Sequence, residues 1–194
     1  EGYNKGKFKW KQNDLGIWFR GYGDKRINLG VCKFNAFKIV VRDLDKKVPI
    51  QVRYLENYFD EQRLGKDNSN VLIGKKLIKK DFKGACEGLS LDVKSNDFMG
   101  ALRTMDKKIL RLYLHSYQSF LFNEVLKAYI KSNFKTFSHK SGFLFTNEFK
   151  DLKIPLVNFD TEFRDKEIEK LYLEVMGKEG INQSDFLIKQ MPEL

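Results

Sequence analysis

Between Asn57 and Gly65, the run Asn57-Tyr58-Phe59-Asp60-Glu61-Gln62-Arg63-Leu64-Gly65 combines two aromatic rings, two amides, an acidic pair and a guanidinium. A buried strand has no use for four consecutive polar side chains, and a solvated helix has none for an aromatic pair at its start. The mixture suits a loop that offers a flat ring for stacking and fork-shaped polar groups for a planar ligand. Unstacked nucleobases are held that way, by aromatic faces and by hydrogen bonds to their edges. The plainer alternative is a structural turn.

Charge points to the same class of partner. The 194 residues carry 36 Lys and Arg against 26 Asp and Glu, a net charge of +10. Such a surface attracts phosphate backbones and steers association, but it says nothing about fold or sequence choice. The excess is spread along the chain. Lys5, Lys7, Lys9 and Lys11 alternate near the start, and Lys75, Lys76, Lys79, Lys80 and Lys83 cluster later. Lys75, Lys76, Lys79 and Lys80 are the candidates for contacts to an RNA backbone; a solvated helix face is the alternative. With 42% hydrophobic residues the chain can bury a real core, which excludes a disordered basic arm.

The elements that must position these residues are legible from periodicity. Ile17–Arg20 and Phe37–Arg42 have strand patterns, the second alternating Phe37, Ile39 and Val41 against Lys38 and Arg42. A polar turn from Gly21 to Gly30 would join them. The Asn57–Gly65 run then falls in a loop, extended as polar coil by residues 66–70. A short helix is predicted from Val71 toward Phe82, with Val71, Ile78 and Phe82 inward and its lysines outward. The strongest helical period lies between Asp106 and Ser132, where Leu110, Leu114, Tyr117, Leu121, Val125 and Ala128 form a core-facing stripe. Phe120, Phe122 and Leu126 widen that stripe, so this helix is expected to be buried on more than one side. Ser116, Gln118, Ser119 and Asn123 are unusual choices within it, and internal hydrogen bonding is favoured over RNA contact. A last helix is predicted from Asp165, its N-cap, to Lys178, with Gly180 just past its end.

Several chemistries are excluded by spacing. Cys32 and Cys86 stand far apart, without Cys-x-x-Cys spacing or neighbouring histidines, so no zinc site is expected and a reducing compartment, the cytoplasm, is. His115 beside Ser116 makes no hydrolase, because adjacent helix residues point apart and no acidic partner accompanies them. Gly74-Lys75-Lys76 lacks the upstream Gly and the Ser or Thr of a phosphate-binding loop. No apolar run approaches the length of a membrane span, and the chain opens on no signal peptide and no Met, as a processed or excised piece would.

The Asn57–Gly65 run resembles the signature of the TruD-type tRNA pseudouridine synthases, Asn-Tyr-Phe-Gly-x-Gln-Arg-Phe-Gly. Further segments occur in the family's order. Gly21-Tyr22-Gly23-Asp24 through Leu29-Gly30, with Lys33, Asn35, Phe37, Ile39 and Arg42, is similar to the strand-turn-strand ahead of the signature. Ser116-Tyr117-Gln118-Ser119-Phe120-Leu121-Phe122-Asn123 is similar to the helix after it. Pro155–Thr161, Glu179-Gly180-Ile181 and Asp185-Phe186 resemble a later stretch in the domain inserted into the catalytic core. The departures are Asp60 and Leu64, where the family more often has Gly and Phe, Phe34 before Asn35, and Asn158 in place of a turn Gly. The segment between Asp43 and Asn57 is also shorter than the family's. The family's catalytic Asp lies in an upstream Gly-x-Lys-Asp-Lys motif that these residues do not contain. Asp24 in Gly21-Tyr22-Gly23-Asp24-Lys25-Arg26 superficially matches it. Ile27-Asn28-Leu29-Gly30 and Asn35-x-Phe37 behind it fit the later segment in register, so a turn residue is the better reading.

The resemblance implies an α/β (α+β) chain: a pseudouridine-synthase-like mixed sheet with flanking helices, catalytic over residues 1–140 and in the inserted domain over 141–194. It implies conversion of a uridine in tRNA to its C-glycoside isomer by the intact polypeptide, with no cofactor and no metal. The nucleophilic Asp would come from the remainder of that polypeptide, leaving this chain alone inactive. Phe59 would pack against the flipped uracil, and Asn57 would tether the loop carrying the Asp. Arg63 would pair with phosphate or an acidic neighbour, and Gln62 would bond the base or brace the loop. The rival expectation is an RNA-binding module of the same fold without catalysis.

Overall fold

Aspartate starts most of the helices in this chain. Asp60, Asp81, Asp97, Asp106 and Asp165 each accept a hydrogen bond from the first turn of the helix behind them, satisfying amides that have no partner within the helix. The computed structural model describes residues 9–12, 15–18, 40, 42–43, 55–139, 141–148 and 150–192. The chain divides into two compact units, Glu1–Ile50 and Gln51–Leu194.

In the first unit, strands β1 (Lys9–Gln12) and β2 (Leu15–Trp18) form an antiparallel hairpin with Lys9 opposite Trp18 and Gln12 opposite Leu15. The strand expected at Ile17–Arg20 therefore begins two residues early, and its partner β1 went unpredicted. Val40 and Arg42, from the second expected strand, lie in no strand, and the rest of that segment is outside the described residues, as are the 21–30 turn, Asp24 and Cys32.

The second unit is built on one helix, α5 (Lys107–Asn133), about 40 Å long at 1.5 Å per residue. Against it pack α1 (Glu61–Leu64), α2 (Ser69–Ile78) and α6 (Lys166–Glu179), while α3 (Phe82–Gly88) and α4 (Phe98–Arg103) extend the layer behind α2. Strands β3 (Phe137–Ser138) and β4 (Leu144–Phe145) make a second antiparallel hairpin next to α5. The described strands thus form two hairpins within a mixed α and β chain, and no larger mixed sheet occurs among the described residues.

Two apolar clusters hold this unit together. One gathers Tyr117, Leu121, Val125 and Tyr129 of α5 with Ile168, Tyr172 and Met176 of α6. The other gathers Leu77, Ala85, Leu102 and Leu110 with Ile188 and Met191. The predicted α5 stripe is its buried face, and α6 keeps its expected bounds, with Gly180 as its left-handed cap at φ 66°. The helix expected to run from Val71 to Phe82 is instead two. Lys80 turns left-handed at φ 60°, and Asp81 caps a new helix whose Gly84 amide donates to it at 2.9 Å. Residues 141–192 are packed into the same unit as α5, through α6.

Candidate functional site

The Asn57–Gly65 run is not wholly a loop. Residues 55–60 form no regular element, but Asp60 accepts from the Glu61 amide at 2.8 Å and starts the single turn α1. Asp at a position where the resemblance favours Gly is thereby explained, since Gly has no side chain to cap with. Leu64, the other departure, is buried in the α5–α6 cluster. Residues 66–70 are not coil either: a 3-10 turn at Lys66–Asn68 leads into α2. Gly65 joins the two at φ 78°, and a Cβ there would stand 2.8 Å from the Asn70 amide nitrogen, so only glycine fits. The remaining described departure, Asn158, has no positive φ; its amide instead donates to the Thr161 hydroxyl at 2.7 Å.

Helix α5 holds the run in place with the polar residues that look odd in its sequence. Asn123 accepts from the Phe59 amide at 3.0 Å and donates to the Phe59 carbonyl at 2.8 Å. The Ser116 hydroxyl, fully buried, lies 2.7 Å from the Arg63 and Leu112 carbonyls. Gln118 donates to the Val157 carbonyl at 2.8 Å, fixing the Pro155–Thr161 segment to the same helix. The Ser119 hydroxyl, by contrast, is buried without a partner among the described residues. Internal bonding is therefore what Ser116, Gln118 and Asn123 do.

The expected site residues sit around this clamp. The half-buried Phe59 ring meets Phe122 edge-on at 5.4 Å, and the Arg63 guanidinium stands 5.8 Å from its centroid. Arg63 has no acidic partner among the described residues. Burial, with the Arg63 and Arg111 charges, holds His115 below its ordinary pKa. Asn57 and Gln62 are exposed, and neither side chain bonds another described residue. Tyr58 faces elsewhere: its ring stacks on Phe143 at 4.5 Å, and its hydroxyl donates to the Leu144 carbonyl. Burial pushes that phenol up to about 12. Glu56 accepts from the Thr146 amide at 2.7 Å, so this end of the run is tied to the β3–β4 hairpin.

Beside Asn57 opens a cavity of about 840 Å³ that no motif announces. Its floor is Phe122, Leu126, Tyr129 and Ile130 of α5, and Glu56, Thr146 and Lys150 are among its polar rim. The only signal in the sequence is the second apolar stripe on α5. Lys150 stands over the Tyr129 ring in this floor, 5.2 Å from its centroid, and its interaction with the buried Tyr129 hydroxyl raises the lysine's pKa.

The lysine candidates divide. Lys75 pairs with Glu179 at 2.7 Å, the same carboxylate oxygen to which the Tyr117 hydroxyl donates at 3.2 Å. Lys80 pairs with Asp185 at 3.3 Å, and Lys76 donates to the Gly84 carbonyl at 2.9 Å. These three fasten α2 to α6, to the segment after it and to α3. Lys79 is exposed and makes no ion pair among the described residues. No group of His, Cys, Asp and Glu among the described residues is placed to hold a metal, and no described helix is long and apolar enough to cross a membrane.

A family model for tRNA pseudouridine synthase D (TruD) matches residues 9–94 and 89–147. A "Probable tRNA pseudouridine synthase D" of Nanoarchaeum equitans is 28% identical over 87% of this chain and 57% of its own length. A "tRNA pseudouridine synthase D" of Aquifex aeolicus is 24% identical over 89% of this chain and 60% of its own. The chain thus spans less than two thirds of these relatives. A crystal structure of a "Putative tRNA pseudouridine synthase D (TruD)" from Methanosarcina mazei superposes with a TM-score of 0.51 at 18% identity, covering 71% of this chain and 48% of that one. That likeness is one of fold. With the family match extending over the Asn57–Gly65 run and the α5 residues that clamp it, this chain belongs to the TruD family of tRNA pseudouridine synthases.

Proposed function

We propose that the intact polypeptide isomerises a uridine in tRNA to pseudouridine and that the Asn57–Gly65 run is part of its uridine site. The observation that carries the reading is that the family match includes this run and that α5 holds it by buried hydrogen bonds. In the reaction the bond between N1 and the ribose carbon breaks, uracil turns, and the ribose carbon rejoins through C5. The C5 proton leaves and N1 gains one, so no redox partner or cofactor is required. The nucleophilic Asp would be supplied from outside these 194 residues, which contain no Gly-x-Lys-Asp-Lys motif.

The resemblance suggests each residue's part, and its position supports that part. The flipped base would stack on the half-buried Phe59 ring, a contact worth about 1–3 kcal/mol. Arg63, without an acidic partner among the described residues, would meet a backbone phosphate with its planar fork. Asn57, exposed at the lip of the cavity, would tether the Asp-bearing loop, and Gln62 would bond the base or brace that loop. Residues after about 140 would begin the inserted domain, and the protein would act in the cytoplasm. Digestion and chromatography of tRNA treated with the intact protein should show pseudouridine gained and uridine lost. RNA binding with no such gain would favour the non-catalytic module.

Of the four candidate lysines, Lys79 would be the one to meet a phosphate, being exposed and without an ion pair among the described residues. In the intact protein, Lys79→Gln should flatten the slope of log K against log salt by about one. Lys75→Gln should leave that slope unchanged and lower stability by under about 1 kcal/mol, the worth of a partly exposed ion pair. The reverse pattern in salt-dependent binding would return Lys79 to a solvated face.

A further inference from the structure

One amide side chain closes on one backbone unit. Asn123 is 2% exposed, and its two hydrogen bonds both go to Phe59, which lies 64 residues away in sequence. It pairs with the Phe59 backbone as a neighbouring strand would, through one acceptor and one donor. The preceding helix residue, Phe122, meets the Phe59 ring edge-on. Consecutive residues of α5 therefore fix both the backbone and the ring of the same residue.

We propose that Asn123 is a positioning residue for the isomerisation: it does not touch uridine but sets where the Phe59 ring meets the flipped base. The inference rests on the uridine-site reading of Phe59. A volume-filling role would not need an amide, since leucine has nearly the same size. The Phe59 backbone instead asks for a group that donates and accepts side by side, which among side chains of this length only Asn supplies at every pH. A displacement of about 1 Å in a positioned group is enough to cost as much as about a hundredfold in rate.

Aspartate offers a discriminating substitution. A protonated carboxyl reproduces both bonds, accepting from the Phe59 amide and donating to its carbonyl. An ionised one can only accept and sets a negative oxygen against that carbonyl. Burial raises the pKa of such a carboxyl, so the switch falls in an accessible range. The charged groups next in sequence to the two partners are Glu124 and Lys127 of α5, which pair with each other at 2.8 Å, and Glu56, Asp60, Glu61 and Arg63 of the signature side; farther along α5 lie Arg111 and His115 toward Arg63.

The test compares wild type, Asn123→Leu and Asn123→Asp in the intact protein, by single-turnover tritium release from tRNA labelled at uracil C5. Release is measured from about pH 5 to about pH 8, alongside tRNA affinity and thermal unfolding. Asn123→Leu should lose more than about tenfold in turnover with affinity changed by less than about twofold. Asn123→Asp should be slow at high pH and approach wild type, measured at the same pH, as the pH falls. If the leucine variant does not fold, the aspartate ratio decides alone. A ratio that stays flat with pH while wild type is active overturns the positioning role and leaves the uridine site standing. Absence of release by wild type overturns both.

Discussion

Phe59→Ala in the intact protein lowers single-turnover release of tritium from uracil-5-labelled tRNA by more than about tenfold, while tRNA affinity changes little. Tenfold corresponds to about 1.4 kcal/mol of barrier, the lower half of what a base–aromatic stack supplies. Affinity is spared because phosphate contacts dominate binding and Phe59 makes none. The ring also packs against the α5–α6 cluster from a half-buried position, so the variant gives up about 1–3 kcal/mol of stability as well. Turnover is therefore measured well below the unfolding midpoint, beside Phe59→Leu, which keeps apolar volume without a flat face. If Phe59→Leu retains wild-type turnover, the ring is a packing element and its stacking role is wrong.

Gly74→Ala has the largest effect on stability. Gly74 is buried where α2 crosses α5, and a Cβ there would collide with the Tyr113 carbonyl oxygen and stand 2.9 Å from the Tyr117 Cβ. The obstacle is helix backbone, which cannot swing aside as a long side chain would. Alanine would gain about 0.8–1.0 kcal/mol of helix propensity, but separating the helices costs more. Overpacking of this kind costs about 1–3 kcal/mol and occasionally more. A rigid backbone obstacle puts this case at the upper end of that range, so the net expected loss after the propensity gain is about 2 kcal/mol in urea unfolding. A variant as stable as wild type would mean that α2 and α5 do not meet at this glycine.

What the sequence discloses tracks the strength of its local signals. Helices α5 and α6 are legible end to end because each joins a long apolar period to an aspartate cap, and α6 also has a glycine stop. The break between α2 and α3 is not, because nothing in Lys79-Lys80 announces a left-handed lysine; Asp81 is the available cue. The one-turn helix α1 is hidden by Gln62 and Arg63, which are good helix formers but too few to show a period. Hairpin β3–β4 has two residues per strand, below what alternation can reveal. At the site, residue type marks the Asn57–Gly65 run, the resemblance picks out Asn57, Phe59, Gln62 and Arg63 within it, and the structure gathers Phe59 and Arg63 against α5. The polar residues of α5 look internal from their helical positions, but their target, the signature backbone, is a tertiary fact. The ion pairs of Lys75 and Lys80 are hidden for the same reason, since Glu179 and Asp185 lie over a hundred residues away.

We propose that this chain would supply the uridine-binding part of a pseudouridine synthase site, with the nucleophile coming from elsewhere in the intact polypeptide. Tritium release from uracil-5-labelled tRNA, measured side by side for the 194-residue chain and the intact polypeptide, tests it most directly. The account predicts release by the intact polypeptide and none by the 194-residue chain. Release by the 194-residue chain alone would contradict it and return Asp24 as a nucleophile; silence from the intact polypeptide would contradict the isomerase itself.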